Sequence, residues 1–164
     1  MTFLRGITVT AALVCGAVVA SQSALAWRTQ YDERCENRDG RFSPEAQIDA
    51  CNKNMQIDRH HAKNLAADYV NRGNAHEDKG NIEQAIADAS EAIRLVLRYY
   101  FDELGFQKCN VGVYSFNEAS IRLHEKLGFT REGVQRRSIF TRGQYYDNIL
   151  FGITAEEFHA RWSA

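Results

Sequence analysis

The side chains best suited to chemistry lie between Asn117 and Gly128, in a segment that the sequence predicts to be helical. Asn117 has a side chain typical of an N-cap, and Gly128 is a natural end for the helix. His124 is suited to proton transfer because the ordinary pKa of histidine allows both proton states near neutrality. The alternative is that Asn117 is only an N-cap and His124 only a half-packed helix residue.

Cysteine and histidine residues near the N-terminus could do two other kinds of chemistry. Cys35 and Cys51 share one polar stretch, and we expect them to form a disulfide in an oxidising compartment. Cys109 lies in an alternating apolar run and is expected to stay reduced and buried. Zinc bound by Cys35, Cys51, His60 and His61 is the alternative, disfavoured because no C-x-x-C spacing occurs and adjacent histidines point different ways on a helix. No cofactor or metal is expected.

Residues 1–26 have the pattern of a secretory signal peptide. Arg5 supplies the positive charge, residues 7–20 are uncharged and apolar, and Ala24-Leu25-Ala26 supplies small residues before a cut. The apolar run is short for a membrane span, which needs about 20 residues. An uncleaved anchoring helix is the alternative. We therefore expect a secreted or periplasmic protein with no membrane partner after cleavage.

The composition adds few constraints. The chain has 164 residues and a formal net charge of −1, with basic and acidic residues interspersed. Because no basic stripe is present, a nucleic-acid partner is not expected. The length suggests one domain or two very small ones.

The first elements are predicted to be helices. Ser43-Pro44 begins a short helix, which the disulfide ties to the loop before it. Two longer helices are predicted at about residues 61–79 and 82–104, with Gly80 between them. Asn81 and Gln84 have the pattern of a capping box. The second of these helices is expected to be uninterrupted.

Strands are predicted in the second half of the chain, because the apolar pattern there alternates. The predicted strands are residues 109–114, 131–140 and 145–153. Arg142-Gly143 is a hairpin turn signal. Thr154 and Glu157 form a capping box that begins a last helix. Phe158 and Trp162 are expected to pack back onto the sheet.

The helical pair resembles a TPR unit of exported bacterial TPR proteins. The residues that carry this resemblance are Tyr69, 71–75, 79–81, 85–88 and 91–95. Gly73, Ala85 and Ala92 fall where the two helices approach each other, whereas Ala89 and Leu97 depart from the pattern. The resemblance implies a protein or peptide partner. One unit cannot bury its own face, so an oligomer or another partner is expected to cover it.

The segment from about Glu91 to Trp162 contains a second set of family residues. They are residues 92–101 and 113–129, which include an Asn-x-x-Ser-x-x-x-x-x-Lys-x-Gly-Phe run. This segment resembles the C-terminal half of GNAT N-acetyltransferases, nearest to the branch that acetylates protein N-termini or polyamines. The resemblance implies that Asn117 and Ser120 lie beside the pantetheine arm of acetyl-CoA. It also implies that His124 stands where the family often has a tyrosine as general acid for the leaving thiolate.

Part of the family pattern is missing. The family holds the CoA diphosphate at a glycine-rich loop before a helix N-terminus. Here that helix is expected to continue from the helix that begins near Asn81, and the loop-like residues 72–75 are expected to lie mid-helix. The first four strands of the family have no counterpart in residues 27–90.

The sequence therefore predicts an α+β fold, with N-terminal helices that include one TPR-like pair, followed by a partial GNAT-like fold with a small antiparallel sheet. The predicted segments are the signal peptide 1–26, a disulfide-clasped segment 27–59, the TPR-like pair 60–97 and the GNAT-like half 91–164. The predicted function is an exported interaction module without intact catalysis. The alternatives are an active GNAT N-acetyltransferase that uses acetyl-CoA, and a recombined reading frame without an evolved function.

Overall fold

The structure, a computed structural model, describes residues 30–57 and 62–162. They form two compact units, and the chain passes from one to the other between Tyr99 and Tyr100. We call residues 30–57 and 62–99 the helical unit, and residues 100–162 the sheet unit. The predicted signal peptide, residues 1–26, lies outside the described residues, as do His60 and His61 of the zinc alternative.

The helical unit consists of α-helices that pack in sequence order. They are α1 Gln30–Glu36, α2 Pro44–Ile57, α3 Ala62–Asp78 and α4 Ile82–Arg98. Ser43 caps α2 as predicted, because its Oγ accepts a hydrogen bond from the Ala46 N–H at 3.3 Å. Gly80 has a φ of 79°, a left-handed conformation that suits glycine and lets the chain reverse between α3 and α4.

Helices α3 and α4 lie close together at Gly73. A Cβ atom at this position would lie 3.3 Å from the Cβ of Asp88 and 3.4 Å from the carbonyl oxygen of Ala85. Ala85 and Ala92 are both buried on the facing helix. The predicted small-residue contact between the two helices is therefore present.

Three local predictions for the helical unit were wrong. Residues 30–36 form α1, where the sequence predicted a loop. The side chain of Asn81 makes no cap hydrogen bond, so the predicted capping box is absent. The helix predicted over residues 82–104 changes type, because a π-helix, Tyr99–Glu103, follows α4. Leu104, the last residue of the predicted helix, is 41% exposed.

The sheet unit contains the predicted strands and helices. They are β1 Lys108–Tyr114, α5 Glu118–Leu127, β2 Thr130–Thr141, β3 Gln144–Thr154 and α6 Ala155–Trp162. The sheet is antiparallel in the order β1-β3-β2. Arg142 and Gly143 connect β2 to β3 with φ values of 52° and 77°. Positive φ at both positions matches the twist of a two-residue hairpin.

The core of the sheet unit contains one face of β3. Ile149, Phe151 and Ile153 are buried on this face, whereas Leu150 between the first two is only half-buried. Helix α6 begins with the predicted capping box, in which the Thr154 N–H donates to Glu157 Oε2 at 2.8 Å. Phe158 packs against Phe101 with ring centroids 5.4 Å apart, but Trp162 is 38% exposed, contrary to prediction.

Candidate active site

Asn117 begins helix α5 and keeps one polar group available. Its Oδ1 accepts a hydrogen bond from the Ser120 N–H at 3.1 Å, which makes it the N-cap. Because only the oxygen of the amide can accept this hydrogen bond, Nδ2 must point elsewhere. Among the described residues Nδ2 has no hydrogen-bond partner. Asn117 can therefore cap the helix and still donate to a ligand.

The turn before α5 is held by a residue in the first half of β3. The Ser115 N–H donates to the Asp147 carbonyl oxygen at 2.9 Å, and the Asp147 N–H donates to Ser115 Oγ at 3.2 Å. The Asn117 N–H closes the turn on the Tyr114 carbonyl oxygen at 2.8 Å. The position of the Asn117 side chain is therefore fixed by the sheet as well as by α5.

Ser120 and His124 lie one turn apart on α5, and each is only 6% exposed. The Nδ1 atom of His124 lies 2.7 Å from the Ser120 carbonyl oxygen and 3.4 Å from its Oγ. A carbonyl oxygen can only accept, so Nδ1 carries the proton. In the neutral imidazole, Nε2 is then unprotonated.

The surroundings of His124 disfavour its charged form. Its ring stacks on Phe151 with centroids 5.9 Å apart and meets the Phe129 ring edge-on at 5.1 Å. Burial lowers the pKa of His124 from its ordinary value of 6.5, and the hydrogen bond to the Ser120 backbone opposes this shift. A general acid must hold a proton to give, so burial works against the role that the resemblance implies. That role stays a prediction.

An aromatic cluster beside the start of α5 was not identified from the sequence. The Phe116 ring lies 4.5 Å from that of Tyr146 and 5.5 Å from that of Tyr114. The Arg142 guanidinium lies over the Phe116 ring at 4.9 Å. The sequence contains no local signal for this cluster, because Tyr146 comes near the end of β1 through the pairing of β1 with β3, whereas the Arg142-Gly143 turn fixes only the register of β2 with β3.

The described residues contain neither a cluster suited to a metal ion nor a helix suited to a membrane. Within residues 30–57 and 62–162, no group of three or more His, Cys, Asp or Glu side chains is placed to hold a metal ion. Across the same ranges, no helix has the length and apolar character that a bilayer span requires.

In comparisons with known proteins, most of the chain matches one protein family. A family model described as an acetyltransferase (GNAT) domain matches residues 47–150. The SPbeta prophage-derived uncharacterized N-acetyltransferase YokL of Bacillus subtilis is 63% identical over 70 residues, which are 43% of this chain and 40% of that protein. The probable N-acetyltransferase YjcK of the same organism is 35% identical over 79 residues, 48% of this chain and 40% of that protein. The chain thus spans 40% of the length of these two relatives.

Among solved structures, spermidine/spermine N-acetyltransferase SpeG from Vibrio cholerae matches with a TM-score of 0.44 and 28% sequence identity, over 45% of each chain. This likeness is too weak to carry an argument about function.

The prediction of a TPR-like interaction module without intact catalysis was wrong, whereas export stays a prediction. The family match begins at Gln47 in α2 and ends at Leu150 in β3, so it includes α3 and α4, which the sequence assigned to a TPR unit. None of the matches described here supports such a unit. Small residues at a close helix approach and a period near 3.6 occur in many packed helical pairs, and this is why the pattern misled.

Proposed function

Because the chain belongs to the GNAT acetyltransferase family, we propose that it transfers the acetyl group of acetyl-CoA to a primary amine, that of a protein N-terminus or a polyamine. The observation that carries this proposal is the family match over residues 47–150, which crosses both units of the structure. The relatives named above support it, since each is called an N-acetyltransferase. A chance resemblance confined to one short motif would not extend over residues 47–150.

The proposed reaction is an acyl transfer. The lone pair of the amine attacks the thioester carbonyl carbon, a C–N bond forms and the C–S bond breaks. The amine loses a proton, and the CoA thiolate gains one. Acetyl-CoA is a substrate here, and GNAT acetyltransferases use it as their acetyl donor.

In this proposal Asn117 and Ser120 hold the pantetheine arm. The arm is neutral and contains amide groups, so uncharged donors and acceptors are its natural partners. The side-chain amide of Asn117 has a donor to spare, since Oδ1 is occupied by the Ser120 N–H. The Ser120 hydroxyl lies on the same first turn of α5 and is buried.

His124 takes one of two roles in the proposal. As an acid it would protonate the thiolate, and turnover would fall as the pH rises above its lowered pKa. As a positioning residue it would only hold Ser120 through the 2.7 Å contact of Nδ1 with the carbonyl oxygen. A His124→Phe variant separates these roles. Loss of the fall in turnover at high pH indicates an acid, whereas an unchanged profile with an altered KM for acetyl-CoA indicates positioning.

The test of the proposed function is an acetyl-CoA turnover assay on the full chain, which follows the release of the CoA thiol. Spermidine and an unblocked N-terminal peptide serve as acceptors. We expect turnover with one of them and none with an N-blocked peptide. Absence of turnover with both acceptors, together with absence of acetyl-CoA binding by calorimetry, would refute the proposal.

A substitution at Asn117 tests its assignment. Asn117→Asp keeps an oxygen that can accept from the Ser120 N–H but removes the Nδ2 donor. We expect the KM for acetyl-CoA to rise about fivefold, as for the loss of one neutral hydrogen bond. Asn117→Ala is the matched control, because it removes the cap as well and should also lower the melting temperature. An unchanged KM in Asn117→Asp would mean that Nδ2 does not contact the substrate.

A further inference from the structure

The β2–β3 hairpin carries uncompensated positive charge. Its exposed arginines are Arg131, Arg136, Arg137 and Arg142, and we call the segment 131–145 the arginine hairpin. Among the described residues, none of these guanidinium groups is in an ion pair. The acidic side chains nearby are engaged. Glu132 pairs with Lys108 at 2.6 Å, and Asp147 Oδ1 accepts from the Arg137 backbone N–H at 2.8 Å.

Two of these arginines lie in a β-bulge of strand β2. Gln135 pairs with Asn148, and Ile139 pairs with Tyr146, so residues 136–138 stand opposite Asp147 alone. This bulge interrupts the ladder and gives Arg136 and Arg137 no partner residues across the strand.

Two of the arginines also occupy unfavourable backbone conformations. Arg137 has a φ of 51°, and Arg142 has a φ of 52°. The left-handed region is disfavoured for residues with a Cβ, and glycine or asparagine would adopt it more easily. Arg137 lies in the bulge and Arg142 in the turn, so these are the two irregular points of the hairpin backbone.

Exposed aromatic side chains lie beside these charges. Phe140 is 63% exposed and Tyr145 is 56% exposed, with ring centroids 4.9 Å apart. The Arg137 guanidinium lies 5.4 Å from the centre of the Tyr145 ring. Arginine and large aromatic residues are enriched at protein–protein contacts, and exposed Phe and Tyr side chains gain most when a partner covers them.

We propose that the arginine hairpin is a docking surface for an acidic polypeptide segment. Carboxylates suit guanidinium groups, which present planar pairs of N–H donors. Apolar side chains of the same segment can cover Phe140 and Tyr145. Strand β2 is at the edge of the sheet order, so an extended segment can lie alongside it.

The charge of the whole chain favours a polypeptide over a nucleic acid. The formal net charge is −1, and the unpaired arginines of the hairpin lie within residues 131–142. Nucleic-acid affinity grows with the number of phosphates contacted, which needs a longer basic face. The proposal does not depend on acetyl transfer, because it concerns binding alone.

The test is a fluorescence anisotropy titration of the full chain against a labelled peptide in which Glu, Ser and Leu alternate. A matched peptide with Lys in place of Glu and a single-stranded thymidine oligonucleotide serve as comparisons. We expect the acidic peptide to bind most tightly, and its binding to weaken as salt is added. Tighter binding of the oligonucleotide, or no binding of the acidic peptide, would overturn the proposal.

Variants locate the binding. Arg136→Gln combined with Arg137→Gln should weaken binding of the acidic peptide about tenfold, since each guanidinium–carboxylate contact at a surface is worth about threefold. Arg38→Gln combined with Arg41→Gln removes the same charge from exposed positions in the helical unit and should change binding less than about twofold. Equal weakening in both double variants would assign the effect to net charge and refute a defined surface.

If the variant with Arg136→Gln and Arg137→Gln folds poorly, a second substitution still tests the proposal. Phe140→Ser changes an exposed side chain and leaves the arginines in place, so the fold should persist by circular dichroism. Peptide affinity should fall several-fold, because the apolar part of the contact is lost. Unchanged affinity in a folded Phe140→Ser protein would remove the aromatic half of the proposed surface.

Discussion

The two units of the protein bury different kinds of side chain. The buried apolar residues of the helical unit are mostly small, namely Cys35, Ala50, Cys51, Ala66, Ala75, Ala85, Ala92 and Leu97. Those of the sheet unit are mostly large, namely Phe101, Cys109, Val113, Leu123, Leu127, Phe129, Ile149, Phe151, Ile153 and Phe158. Small side chains allow helices to approach closely, but each removes little apolar area from water. The helical unit must therefore depend more on specific links.

Those links are visible in the helical unit. Cys35 and Cys51 form a disulfide between α1 and α2, the pair that the sequence suggested. Gln47 Nε2 donates to the Cys35 carbonyl oxygen at 2.8 Å. The Arg72 guanidinium binds the carboxylate of Asp88 through contacts of 2.6 and 2.9 Å, and the paired carboxylate raises the pKa of Arg72. The comparison shows that the sheet unit is stabilised mainly by buried apolar area and the helical unit more by covalent and polar contacts.

The largest expected effect comes from the aromatic core. Phe151 is fully buried in β3, and Phe151→Ala should lower the free energy of unfolding by about 3–5 kcal/mol, through lost burial and a cavity. Tyr145→Ala on the same strand is the control, because that side chain is 56% exposed and should have a small effect. Urea titrations measure both. Equal losses would mean that burial in β3 does not decide stability.

The disulfide should have the next largest effect. Cys35 and Cys51 are 16 residues apart, and removing the bridge with Cys35→Ser and Cys51→Ser should cost about 3 kcal/mol in the chain-entropy model. The loss should appear in the thermal melting of helical circular dichroism. Cys109→Ala keeps the disulfide and serves as the control for loss of a thiol in the sheet unit. Wild-type melting that is unchanged under reducing conditions would contradict the dependence of the helical unit on this link.

The ion pair between α3 and α4 should rank third. Arg72→Met leaves Asp88, whose side chain is 7% exposed, without its cation, and should cost about 2 kcal/mol. The matched pair is Arg122 with Glu118 on α5, whose side chains are 74% and 77% exposed. A double-mutant cycle on each pair should give a clear coupling in the helical unit and little in the sheet unit. Similar couplings would show that burial of the pair has no influence.

Local signals in the sequence predicted the sheet unit well. The N-cap at Asn117, the turn at Arg142-Gly143 and the capping box of Thr154 with Glu157 are all present. Each is a contact between residues close in sequence, so the pattern alone specifies it. The strands between these points followed from alternation, because one face of the sheet is buried.

Features that depend on distant residues were missed. Helix α1 has a polar sequence, and its contacts come from outside itself, through the disulfide to Cys51 and the hydrogen bond from Gln47. The bulge at residues 136–138 is completed by Asp147, on the neighbouring strand. In the candidate site, the sequence placed Asn117, Ser120 and His124 together, but it could not show that Phe151 and Phe129 bury the imidazole.

The smallest expected effect concerns His124, the polar side chain inside the aromatic core, and it is a dependence on pH. Burial against Phe151 and Phe129 lowers its pKa in the folded chain below the ordinary value of 6.5. The unfolded chain therefore binds the proton more readily as the pH falls through 6.5, and the folded state loses stability from that point down to the lowered pKa. Above this window the contribution of His124 is constant.

His124→Phe keeps a ring in the same place but cannot titrate. The difference in free energy of unfolding between wild type and this variant should be constant above pH 6.5. Below pH 6.5 the wild type should lose stability relative to the variant. The other described histidines, His76 and His159, are present in both proteins, so the difference reports on the substitution at position 124. Parallel stability curves across the window would show that the folded pKa is not lowered, and a shift in favour of the wild type would show that it is raised. Either outcome would restore the charged imidazolium as a candidate acid, because the sheet core would then tolerate the proton that a leaving thiolate needs.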